Sequence, residues 1–72
     1  MKKVYKLNNL DCANCAAKME TEIGKLQGVT RATVNFMTQR LTIECEDGAM
    51  ERILAEAQQA IRKIEPDCSI IK

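Results

Sequence analysis

Seventy-two residues, with 46% apolar and 29% charged side chains, one Pro and three Gly, describe one small folded domain and not a disordered tail. A chain this short buries only about 60% of the surface its unfolded form exposes, so a multidomain enzyme is excluded. Eleven basic and ten acidic residues leave a net charge of +1 with no basic block, and Tyr5 and Phe36 are the only aromatics. The phosphate footprint and the stacking platform of a nucleic-acid partner are both missing.

In chain order, Val4 to Leu10 reads as a strand with Tyr5 and Leu7 on one face, ended by Asn8 and Asn9. Ala16, Met19, Ile23 and Leu26 recur at helical spacing and predict an amphipathic helix closing at Gly28. A second strand carries Ala32, Val34 and Phe36 on one side, and a third alternates through Leu41, Ile43 and Cys45, so the two read as a hairpin. Met50, Ile53, Leu54, Ala57, Ala60, Ile61 and Ile64 give a second amphipathic helix, with Asp47 as its expected N-cap. Pro66 stops it, and Ser69 to Ile71 form a short last strand.

Two βαβ halves of similar length follow from this order. Apolar stripes on one face of each helix predict an α+β, ferredoxin-like βαββαβ sandwich: two helices on one face of a four-stranded antiparallel sheet, occupying residues 1–72 as one domain. No apolar run approaches the ~20 residues of a membrane span, and Met1 to Lys6 lack the apolar stretch of a secretory signal. The expectation is a cytoplasmic, monomeric domain that makes no membrane contact of its own.

Four cysteines and no histidine carry the chemistry of the composition. Cys12 and Cys15 form a CxxC pair, whereas Cys45 and Cys68 stand alone, so the four-thiolate set of a zinc ribbon is not written here. Helical periodicity and a plausible core also argue against a secreted disulfide scaffold. Cys45 continues the inward alternation of Leu41 and Ile43, and Cys68 opens the last strand; both read as small buried hydrophobes. Met19 and Met50 lie on helical stripes and Met37 in a turn, and none is assigned a ligand role.

The loop Asn9-Leu10-Asp11-Cys12-Ala13-Asn14-Cys15 lies between the first strand and the first helix. Two cysteines at a helix start bring their sulfurs to one point, and the unpaired N–H groups and dipole there favour thiolates. A thiol-disulfide enzyme of the thioredoxin type is one reading, but no Trp precedes the pair and no Pro separates it. A structural core pair does not suit a loop following two Asn and containing Asp11. A surface site for a metal ion does.

Leu10-Asp11-Cys12-Ala13-Asn14-Cys15-Ala16, Gly28-Val29 and Ala32-Thr33-Val34-Asn35-Phe36 together resemble the heavy-metal-associated (HMA) domains, found as small metallochaperones and as amino-terminal modules of metal-transporting P-type ATPases. The similarity runs from about residue 4 to the C-terminus. It implies a βαββαβ fold, a metal held by Cys12 and Cys15, and handover by ligand exchange with a partner domain. Copper modules of the family commonly carry Thr before the first cysteine; Asp11 looks like the modules of zinc, cadmium and lead exporters.

Charge supplies a reason for that difference. Two thiolates neutralise a divalent ion, and a carboxylate adds a hard oxygen that Zn(II) or Cd(II) accepts. Around Cu(I) the same three anions leave a net charge of −2 and an oxygen that a soft ion hardly uses. Asp11 is therefore read as the third ligand, beside the alternative that it caps the helix by accepting from Ala13 or Asn14 N–H. In the family, the segment corresponding to Glu65-Pro66-Asp67 lies near the metal loop and often presents a Lys in copper proteins. This chain has acids there, a candidate extra ligand or a solvated turn. Asn9 stands where many relatives carry Gly.

The resemblance thus implies a non-enzymatic binding and transfer module for one Zn(II), Cd(II) or Pb(II) ion, with Cu(I) as the alternative. Its implied setting is the N-terminal domain of an exporting P-type ATPase, partnered by that pump's other cytoplasmic domains. The alternative is a free-standing metallochaperone partnered by another HMA-type domain.

Overall fold

Strand alternation divides the sheet into a helix-covered and an open face. In the computed structural model, which describes residues 1–71, the elements are β1 (Lys2–Asn8), α1 (Ala13–Gly24), β2 (Val29–Asn35), β3 (Arg40–Cys45), α2 (Met50–Ile64) and β4 (Ser69–Ile71). Lys72, the last residue of the predicted domain, lies outside the described residues. The strands pair antiparallel in the order β2-β3-β1-β4. This is the expected ferredoxin-like arrangement.

Leu7, Leu41, Ile43 and Cys45 point from the sheet into the core, where Ala16, Met19 and Ile23 of α1 meet Ile53, Leu54, Ala57 and Ile61 of α2. No polar or charged residue is buried among the described residues. Stability therefore rests on aliphatic packing, and truncating a residue such as Leu41 to Ala costs about 2–5 kcal/mol. Cys45 and Cys68 are both buried as expected, Cys45 within the β3 alternation and Cys68 in the turn just before β4 and not as its first residue.

Several boundaries differ from expectation. Helix α1 ends at Gly24 with Lys25 as its C-cap, four residues before the predicted Gly28, and Leu26 packs on the core from the turn. An apolar residue after a helix can still reach the core, so the stripe overran the helix. Gly28 has φ +92 and a Cβ there would lie 3.0 Å from the Arg52 guanidinium, so it shapes the entry to β2 and not the end of α1. Phe36 lies just past β2 but stays half-buried against the core. The N-cap of α2 is Ala49, with no side-chain hydrogen bond, and not Asp47. Gly48, at φ +85, turns the chain between them, and exposed Asp47 instead lies 3.8 Å from the N-terminal amine, a contact worth little in water.

Both sheet edges are blunted by helix side chains. Glu20 of α1 accepts from the Val34 N–H of β2 at 2.8 Å, and Gln58 of α2 accepts from the Ile70 N–H of β4 at 2.8 Å. Edge donors that would otherwise template another strand are thereby occupied.

At one end of the sheet three loops converge: 9–12, 36–39 and 65–68. The Gln39 amide donates to the Leu10 carbonyl at 2.9 Å, the Leu7 N–H donates to the Gln39 carbonyl at 2.7 Å, and the Asn9 amide donates to the Asp67 carbonyl at 3.2 Å. Leu10, fully buried, pins the first loop to the core.

Candidate metal centre

Asn9 has φ +61, a left-handed conformation that Asn tolerates better than other residues with a Cβ. It turns the chain out of β1 so that Leu10 is buried while Asp11 faces water. Asn9 thus holds, with a side chain, a backbone conformation that Gly takes freely.

Cys12 then adopts extended backbone, φ −132 and ψ 121, and is the N-cap of α1: its sulfur accepts from the Cys15 N–H at 3.3 Å. The helix therefore starts with its cap filled by a sulfur. Asp11 does not cap it, and its exposed carboxylate takes part in no hydrogen bond among the described residues. The capping alternative for Asp11 falls because Cys12 is one residue nearer the helix.

Cys12 and Cys15 are both half-buried free thiols at the convergent end, and Cys15 packs against the core. Their proton affinities diverge. Hydrogen bonding from the Cys15 thiol, and then from its backbone N–H, holds the Cys12 pKa below that of an ordinary thiol. Cys15 is pushed up to about 11, first by the facing Cys12 sulfur, then by desolvation and the neighbouring Glu65 carboxylate. The two thiols are therefore unequal, and Cys12 is the one that gives up its proton the more readily. Cys68 is also raised, mainly by burial and secondarily by Glu65 and Asp11, which shows both acids bearing on this end of the molecule.

Of the predicted site residues, Cys12 and Cys15 are together, Glu65 lies beside Cys15, and Asp11 is adjacent in sequence but turned to solvent. Among the described residues no three His, Cys, Asp or Glu side chains are already gathered as a ligand set. The bracing amide of Gln39 was not anticipated, because a contact across 29 positions leaves no local signal.

The heavy-metal-associated domain profile matches residues 4–67. The chain belongs to that family. As a heavy-metal-associated domain it is 27% identical over 70 residues to the cadmium, zinc and cobalt-transporting ATPase of Bacillus subtilis, covering 97% of this chain and 10% of that protein. It is 36% identical over 73 aligned positions to a probable cadmium-transporting ATPase of Staphylococcus aureus, covering 90% of this chain and 9% of the relative. The chain thus spans about a tenth of the length of these curated relatives. Among solved structures, the Cu(I)-loaded N-terminal domain of a potential copper-translocating P-type ATPase from Bacillus subtilis superposes with a TM-score of 0.74. The identity is 26%, over 96% of this chain and 84% of that one. Membership makes the domain a heavy-metal-binding module related to ATPase N-terminal domains.

Proposed function

We propose that the domain binds one soft divalent cation, Zn(II), Cd(II) or Pb(II), through Cys12, Cys15 and Asp11. In this reading it is the N-terminal cytoplasmic module of an exporting P-type ATPase, which receives the ion from it by ligand exchange. The observation that carries the metal preference is the charge of the convergent end. Its three loops hold Asp11, Glu65 and Asp67 and neither Lys nor Arg. Two thiolates with one carboxylate leave a divalent ion one negative charge in excess, and Cu(I) two, at a half-buried site where excess charge is costly.

The thiol pair supports a stepwise loading. Cys12, already inclined to thiolate, meets the ion first; Cys15 then loses its proton, with the Glu65 carboxylate beside it as a local acceptor. Asp11, exposed and unengaged, swings to the ion last. Three protein ligands leave a tetrahedral ion one open position for an incoming partner ligand, which suits transfer. The aliphatic core owes nothing to the metal, so the fold holds without it, unlike a zinc finger.

The test is a competitive titration of wild type and Asp11→Asn with Zn(II), Cd(II), Pb(II) and Cu(I), following thiolate-to-metal absorption. Divalent affinity should fall about tenfold or more in the variant, in line with the loss of a charged ligand, while Cu(I) affinity holds. Tight Cu(I) binding with negligible divalent affinity in the wild type would overturn the assignment.

A further inference from the structure

The face of the sheet turned away from the helices has an unusual charge pattern. Lys6 of β1 stands directly opposite Arg40 of β3, both exposed and both on the open face. Like charges placed directly across an antiparallel pair repel. Among the described residues neither takes part in an ion pair. The acid on the open face of β3, Glu44, lies at the other end of that strand, paired across to Lys2 on one side and Arg31 on the other. The row between the charges holds Thr33, Thr42 and Val4, with Val4 53% exposed, and on the edge strand β4 Ile71, opposite Lys6, is 45% exposed.

We infer that this open face is a docking surface for an acidic protein segment. Its carboxylates neutralise the Lys6–Arg40 pair, and its aliphatic side chains cover Val4 and Ile71. Exposed aliphatic side chains set among polar and charged ones are the anatomy of a protein interface. Nucleic acid fits less well, because Tyr5 alternates with buried Leu7 toward the helices and no aromatic remains on the open face to stack a base. Lys6 precedes the metal loop and Arg40 follows the hairpin beside it, so a segment docked here ends next to the metal site while leaving the thiols free. The surface is separate from the metal chemistry and is tested without metal.

The experiment uses the metal-free chain at low ionic strength with a Glu-rich decapeptide carrying two Leu residues, read by amide chemical shifts. Lys18→Glu, an exposed change on α1 with the same effect on net charge, is the control for Lys6→Glu. Shifts should concentrate at Val4, Lys6, Thr42 and Ile71. Affinity should fall about tenfold in Lys6→Glu, as for loss of an interfacial charge pair, and hold in Lys18→Glu. Thermal unfolding of Lys6→Glu should move upward, because the substitution turns repulsion with Arg40 into attraction, so lost binding cannot be lost folding. Equal losses in both variants, or shifts centred on the helices, would overturn the proposal. So would tighter binding of an oligothymidylate or of phosphatidylserine vesicles to this face, or self-association through it without any response to the peptide.

Discussion

The sulfur of Cys12 accepts a hydrogen bond from the backbone N–H of Cys15 at 3.3 Å, so the first thiol of the pair is also the cap of the helix that carries the second. The CxxC loop and the helix start are one structure. A Cys12→Ser change should keep the cap, since a hydroxyl serves there at least as well, and Cys12→Ala should lose it at about 1 kcal/mol. Both should abolish tight metal binding. Thermal melts and metal titrations on the two variants separate the roles; an Ala variant as stable as the Ser variant would deny the cap its part.

The unequal thiols set a pH dependence. Cys15, raised to about 11, is protonated at neutral pH, so binding must displace its proton. Apparent metal affinity should therefore rise by about one logarithmic unit per pH unit between the lowered pKa of Cys12 and that of Cys15. Below the Cys12 pKa a second proton must leave and the slope should approach about two. Chelator competition across neutral to mildly alkaline pH measures this, and a flat profile would contradict it.

Glu65 raises the pKa values of Cys12, Cys15 and Cys68 alike by its negative charge. Glu65→Gln removes that charge at nearly constant shape, so thiolate absorbance should appear at lower pH, with Cys15 moving down from about 11. An unchanged thiol titration would mean that the carboxylate does not reach the pair in solution.

Asn9 combines a left-handed backbone with a hydrogen bond to the Asp67 carbonyl. Asn9→Gly relieves the backbone and loses only the bond, whereas Asn9→Ala loses the bond and keeps the strain. The Ala variant should be the less stable of the two, by about 1 kcal/mol. Denaturant melts test the order; the reverse order would place the loop's rigidity elsewhere.

Element order and type were legible because periodicity is local: Leu41, Ile43 and Cys45 alternate, and Ile53, Leu54, Ala57 and Ile61 recur each turn. Ends were less legible. Leu26 fits the α1 stripe although the helix has stopped, and Asp47 has capping chemistry although the chain turns at Gly48 before α2 begins. A side chain's capacity for a role does not tell whether the backbone delivers it there.

The sequence by itself determined the order of elements, an aliphatic core, a CxxC pair at a helix start with two buried cysteines elsewhere, and the resemblance that named the family. These depend on spacing and composition, which a chain carries before it folds. Only the tertiary structure decided that Cys12 and not Asp11 caps α1, that Glu65 stands against Cys15, that Gln39 braces Leu10, and that Lys6 faces Arg40 on an open sheet. Each of those depends on φ/ψ at a turn or on partners far apart in the chain, and neither is written in local pattern. The chain and its four cysteines thus acquire an acidic loop end and a basic open face through the closing of long-range contacts.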